Sequence, residues 1–205
     1  MSLKLPKTVR VGCFDYNVIF PYKFVEADDR TAQHSFYDLD LRIAGEFIKK
    51  RNESKLLVSF LHELIHAIDY SYVLFTFEEE HVNALSNSVF QFLQDNLKTD
   101  KWDIPKDCKV NILGHQFIIE CGAQFEELDE YASRVDHDSC IIYISNVIKK
   151  KAIERAYVFM HILHCLNSML SIGIEEPMDK FAFAFLDTMD RNNLWKLFNK
   201  KRRTK

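Results

Sequence analysis

Apolar and polar residues alternate along residues 9–20 and again along 37–43, the period of half-buried β-strands, and the same alternation returns at 110–119 and 140–144. Between residues 56 and 72 the period lengthens, with Leu57, Leu61, Leu64, Ile65 and Ile68 recurring at helical spacing. Asn52 or Ser54 is placed to cap the start of that helix by accepting an otherwise unpaired backbone N–H. Thr76 is expected to cap a second helix, whose first turn carries Glu78, Glu79 and Glu80 at the positive end of the helix dipole. Val82, Leu85, Val89 and Leu93 give this second helix one apolar face.

The same order of elements then repeats. Val9, Val11, Tyr16 and Val18 fall opposite Val110, Ile112, Phe117 and Ile119, an offset of 101 residues. His66-Ala67-Ile68-Asp69 falls opposite His164-Cys165-Leu166-Asn167 at an offset of 98, and Glu79-Glu80 and Asp95-Asn96 fall opposite Glu175-Glu176 and Arg191-Asn192 at an offset of 96. An offset that shrinks in small steps is what deletions between equivalent elements produce. The expected fold class is therefore α+β: two tandem, structurally similar small units, each a β-sheet packed with two main helices. The first unit covers residues 1–98, a linker follows over 99–108, and a second, degenerate copy covers 109–205.

Composition narrows the picture. A chain of 205 residues that is 47% hydrophobic, with 17 Phe, has the material for packed cores and is not a disordered sequence. A formal net charge of −3 argues against nucleic-acid binding through bulk positive charge. The basic run over residues 200–205 reads as a solvated tail, and the acidic runs over 26–29 and 126–130 as solvated loops. Five Cys without a Cys-x-x-Cys pair form neither a disulfide framework nor a Cys-rich zinc module, and fit a reducing cytoplasm. The first ten residues lack the apolar core of a signal peptide. The apolar run over 157–166 is interrupted by His161 and His164 and is far short of the ~18–20 residues that span a bilayer. A cytoplasmic protein with neither membrane nor nucleic-acid partner is expected.

The candidate chemistry lies in His62-Glu63-Leu64-Ile65-His66, a His-Glu-x-x-His motif on the first helix. Residues four apart share a helix face, so both imidazoles can turn to one metal ion, expected to be a single Zn2+ per chain. Glu63, between them, is placed to take a proton from a water that the metal acidifies. A metzincin-type continuation would put Gly at position 69 and His at position 72; Asp69 and Tyr72 stand there instead. For the third ligand Glu79 is favoured, because Val82, Asn83 and Ser86 place it on the inward side of its helix. Glu78, Glu80, His81 and Asp69 remain alternatives. Asp69 and Asn83 are candidates for groups that hold a ligand from behind, and Tyr70 or Tyr72 for a phenol near the reacting oxygen.

The string His62 to Tyr70, followed by Glu79-Glu80-His81-Val82 with Leu85 and by Asp95-Asn96, resembles the small zinc metallopeptidase-like proteins encoded by phages and prophages, which are similar to minimal gluzincins. The resemblance covers residues 9–97. It implies a zinc-peptidase fold with His62, His66 and Glu79 as ligands and Glu63 as base.

The second unit departs from that pattern. Met160 stands opposite His62 and His161 opposite Glu63, and only His164 keeps its counterpart. A thioether beside imidazole and carboxylate suits zinc poorly, so this copy is expected to be catalytically silent and buried against the first. Phe181, Phe183 and Phe185 are expected to cover several faces of one helix and make an intramolecular pseudo-dimer. The leading functional reading is a zinc-dependent hydrolase of peptide bonds acting on a peptide or protein. The alternative is a catalytically silent protein of the same fold that binds a protein partner through its paired halves; a nucleic-acid-associated factor is the least favoured.

Overall fold

The alternation over residues 9–20 folds into two strands, β1 (Thr8–Val11) and β2 (Phe14–Tyr22), because Gly12 at φ +58° reverses the chain between them. They pair antiparallel, setting Val9 against Tyr16, both fully buried. The computed structural model describes residues 3–25, 31–46, 52–73, 76–104, 108–125, 132–174 and 178–199. The acidic runs 26–29 and 126–130, Glu175 and Glu176, linker residues 105–107 and the basic run 200–205 lie outside the described residues.

The strand expected over 37–43 begins later, as β4 (Asp40–Ala44), because Tyr37 lies in a turn and Leu39 is left-handed at φ +53°. A four-residue strand with no clear alternation, β3 (Ala32–Ser35), precedes it. The first sheet has the order β1-β2-β4-β3, with β2 and β4 parallel and the other neighbours antiparallel. Two helices follow: α1 (Glu53–Ile68), which runs on into a π-helical turn over Asp69–Val73, and α2 (Glu79–Asn96). Asn52 caps α1, its Oδ1 accepting from Lys55 N–H at 3.0 Å. The N-cap of α2 is Glu78 rather than Thr76, and Glu78 N–H donates to His81 Nδ1 at 3.2 Å.

The plan repeats as β5 (Lys109–Ile112), β6 (His115–Ala123), β7 (Ser133–Asp136), β8 (Ile141–Ser145), α3 (Lys151–Met169) and α4 (Met178–Arg191), closed by a short α5 (Trp195–Phe198). The second sheet has the equivalent order, β5-β6-β8-β7. Even the strained positions recur at the 101-residue offset: Leu113 at φ +49° replaces Gly12, and Cys140 at φ +52° replaces Leu39. The chain is thus an α+β protein built from two similar mixed sheets.

The halves are not separate packing units. α1 lies on its own sheet, against β3 and β4, whereas β1 is covered by α4 from the other half; in the same way α2 crosses to β5. One continuous hydrophobic cluster runs through both sheets and all the long helices. Trp102, in the expected linker, is 2% exposed and packs against Phe92, Phe159 and Trp195, so the connection is part of the core. The three alternating phenylalanines do not ring α4: Phe181 and Phe185, four apart, are buried, while Phe183 stands 43% exposed. All five cysteines are free thiols. Among the described residues no helix is long and apolar enough to cross a membrane.

Candidate functional site

His62 and His66 project from the last two turns of α1, a helix whose remaining faces are buried by Leu57, Phe60, Leu61, Leu64, Ile65 and Ile68. The one-turn spacing brings their rings to 4.7 Å between centroids and their Nε2 atoms to 3.1 Å. Glu79, first residue of α2, closes the triangle: Oε1 lies 3.1 Å from His62 Nε2 and Oε2 lies 3.1 Å from His66 Nε2. Two donors about 2.0–2.1 Å from one tetrahedral ion stand about 3.3 Å apart, so the spacing and the N, N, O donor set suit a small divalent cation. Burial, and then the adjacent His66, hold the His62 imidazole below its ordinary pKa, which favours the neutral form a metal needs.

The reach of Glu79 depends on the turn that precedes it. Asp69, only 2% exposed, accepts from Thr76 N–H at 3.1 Å and Phe77 N–H at 3.3 Å, and so fixes the path from α1 to α2. Burial raises its pKa. Asn167 does the same work in the second half, binding both backbone groups of Ile174, again seven residues downstream. Asn83, one turn along α2, donates to Glu79 Oε1 at 3.4 Å and supports that carboxylate rather than an imidazole. Glu80 and His81 gather with Glu78 in a second group at the start of α2, apart from the two imidazoles.

Glu63 points to the floor of the site. It is 4% exposed, and a carboxylate oxygen lies within 4.8 Å of a ring nitrogen of each histidine. Burial, reinforced by the nearby Glu79, pushes its pKa up to about 8, against the backbone N–H of His34, which donates to it. That N–H comes from β3, the edge strand. The His34 ring lies parallel to that of His66, 5° between planes and 6.3 Å between centroids, with its Nε2 buried and lacking a hydrogen-bond partner. Burial brings the His34 pKa down to about 4.

Sequence reasoning passed over β3 and His34. A four-residue strand shows too little alternation to register, and a lone histidine ten positions before the end of the first unit's sheet carries no spacing signal. Tyr72 is drawn away from the site, with its hydroxyl 3.5 Å from Asp187 of α4.

Clefts open on both sides of the donor set along β3. One, of about 340 Å³, is lined by Thr31, Val58, Ser59, Asn83 and Ser86; the other, of about 450 Å³, by Gln33, His34, Phe36 and His66. His62, Glu63 and Glu79 are common to the two. A larger cavity of about 760 Å³ at the junction of the halves has neither imidazole nor thiol in its lining, and so lacks the donors this chemistry needs. In the second half His164 Nε2 meets Asp179 at 3.1 Å and His161 Nε2 meets Ser133 Oγ at 2.8 Å. Counted back from Asn192, Asp179 occupies the position of Asn83, not of Glu79. No protein-family model, curated protein or solved structure matches the chain.

Proposed function

We propose that the chain is a zinc-dependent peptidase whose active site lies wholly in the first half. The observation that supports this most directly is the convergence of His62 Nε2, His66 Nε2 and the Glu79 carboxylate at 3.1 Å from one another, with a buried glutamate beside them. A purely structural metal site has no use for a carboxyl group between its ligands. His62, His66 and Glu79 would hold the ion. Zinc supplies two things when bound: it makes water acidic near neutral pH and polarises a carbonyl oxygen.

Glu63 accepts the proton of the attacking water and delivers it to the leaving nitrogen. Its burial keeps bulk water from taking that proton between the two events. The His34 backbone N–H keeps the carboxyl aimed at the floor of the site, and β3 forms the wall along which an extended peptide fits. The second half supplies α4, which covers β1, and the core that keeps α1 and α2 in register.

The test combines metal analysis with turnover of a peptide library. Wild type and Glu63→Gln are expected to hold about one zinc per chain, His66→Ala almost none, and wild type alone to cleave. Equal metal in wild type and His66→Ala removes the site. Stoichiometric zinc without cleavage of any peptide assigns the chain to the protein-binding alternative.

A further inference from the structure

Beyond the donor set, the two ends of the cleft differ in chemistry. At the Thr31 end the lining is small and polar, with Ser59, Asn83 and Ser86. At the other end β3 runs out into aromatic residues. Phe36 borders the cleft, stacks on Tyr70 at 5.3 Å between centroids and touches Tyr37 at 4.0 Å; Tyr70 in turn leans on Phe14 at 6.1 Å. Phe14, Phe36 and Tyr70 are half-buried, and Tyr37 is 86% exposed. An exposed tyrosine beside three partly covered rings presents apolar faces to solvent at the mouth of a cleft, where core packing does not require them.

The second half serves as an internal control. Positions that build the fold keep their character in both copies: Val9 and Val110, Val11 and Ile112, Tyr16 and Phe117, Asn96 and Asn192. None of the four Phe or Tyr side chains of the platform is kept, and two of the positions carry the polar imidazole instead. Phe14 corresponds to His115, Phe36 to His137, Tyr37 to Asp138 and Tyr70 to Ser168. The aromatic cluster therefore goes with the His62–Glu63–His66 motif, which the second half also lacks, and not with the shared architecture.

We propose that Phe14, Phe36, Tyr37 and Tyr70 form a substrate-binding platform. It would take a large aromatic or aliphatic side chain next to the bond being cleaved, while the opposite end of the cleft takes a small or polar one. The proposal rests on the peptidase reading for what is cleaved, and it deepens that reading by assigning a substrate class. Flat ring faces hold an aromatic or branched apolar side chain by stacking and by removing apolar area from water. Because the platform lies only at the Phe36 end, the large residue falls on the same side of the cut in every substrate.

The experiment uses full-length, zinc-loaded Glu63→Gln protein and capped hexapeptides of Ala and Gly that carry one Phe, Leu, Lys or Glu, with binding read by calorimetry. The Phe and Leu peptides are expected to bind about tenfold more tightly than the all-Ala/Gly peptide. Adding Phe36→Ala or Tyr37→Ser is expected to bring that ratio to within about twofold. Tyr37 is largely exposed, so its replacement leaves folding intact should Phe36→Ala disturb it. Equal binding of all peptides, or a preference that persists in the Tyr37→Ser protein and in folded Phe36→Ala protein, overturns the platform. The two readings fail separately: selective binding with no cleavage by wild type removes the peptidase and keeps the platform, and cleavage with no apolar preference does the reverse.

Discussion

Asn192 holds the backbone of Arg10 from 182 residues away, accepting from its N–H and donating to its carbonyl, both at 2.7 Å. Asn96 grips Asn111 in the same two-bond manner at the same distance. Each asparagine stands at or just past the end of its half's second long helix and binds the first strand of the other half. The two clasps state the internal symmetry in hydrogen bonds, and they show that each sheet depends on a helix from elsewhere in the chain.

Asn192→Ala leaves two backbone groups on β1 without their partner and is expected to cost about 2 kcal/mol, and Asn96→Ala about the same on β5. The clasps serve one fused core, so each variant is expected to unfold in a single transition. Denaturant melts followed by tryptophan fluorescence and by far-UV circular dichroism check both points; two separated transitions count against a shared core.

Asp69 and Asn167 anchor equivalent turns by different patterns: Asp69 accepts from two N–H groups, Asn167 accepts one and donates one. Asp69→Asn, which sets an NH2 donor against one of two backbone N–H donors, is therefore expected to lose about 1 kcal/mol. Asp69→Ala, which strands the buried N–H of Phe77, is expected to lose about 2 kcal/mol and to weaken zinc binding about tenfold, because Glu79 loses its fixed approach. Melting midpoints and zinc competition with a chelator measure the two effects.

Glu79→Ala removes one of three donors and is expected to lower zinc affinity more than a hundredfold, with the fold intact since its side chain is 67% exposed. Asn83→Ala, which removes only the support behind that carboxylate, is expected to cost about tenfold. Chelator competition separates them; Glu79→Ala that binds zinc as wild type does would transfer the third place to another residue.

His161 supplies a pH test remote from the zinc ligands. Burial, helped by His164, lowers its pKa to about 4, so the unfolded chain binds the extra proton first as pH falls. Stability from this residue is therefore complete above about pH 6.5 and lost progressively towards pH 4, about 2 kcal/mol between pH 7 and pH 5. His161→Met is expected to flatten the pH dependence of the melting midpoint by that amount, measured against wild type over the same range.

Much of this protein can be read from local order. The helical period through Leu57, Leu61, Leu64 and Ile68 places α1, and the four-residue step from His62 to His66 aligns two imidazoles, because helix geometry acts over one turn and needs no distant partner. The duplicated plan is likewise visible from the matched apolar positions of the first strands in each half. The short edge strand β3 is not, since four residues carry almost no periodic signal and its pairing with β4 is a property of the folded sheet. Thr76 looks like a helix cap by type; the cap falls on Glu78 because Asp69, seven residues earlier, engages the Thr76 backbone first.

By itself, then, the order of residues determined the long helices and most of the strands, and that His62 and His66 share a helix face. Only the folded chain decided that Glu79 meets those histidines, that β3 walls the cleft, and that each half's second helix lies across to the other half's first strand. Those outcomes depend on how apolar faces find one another across long stretches of chain, and that choice is made by burial of the whole core at once.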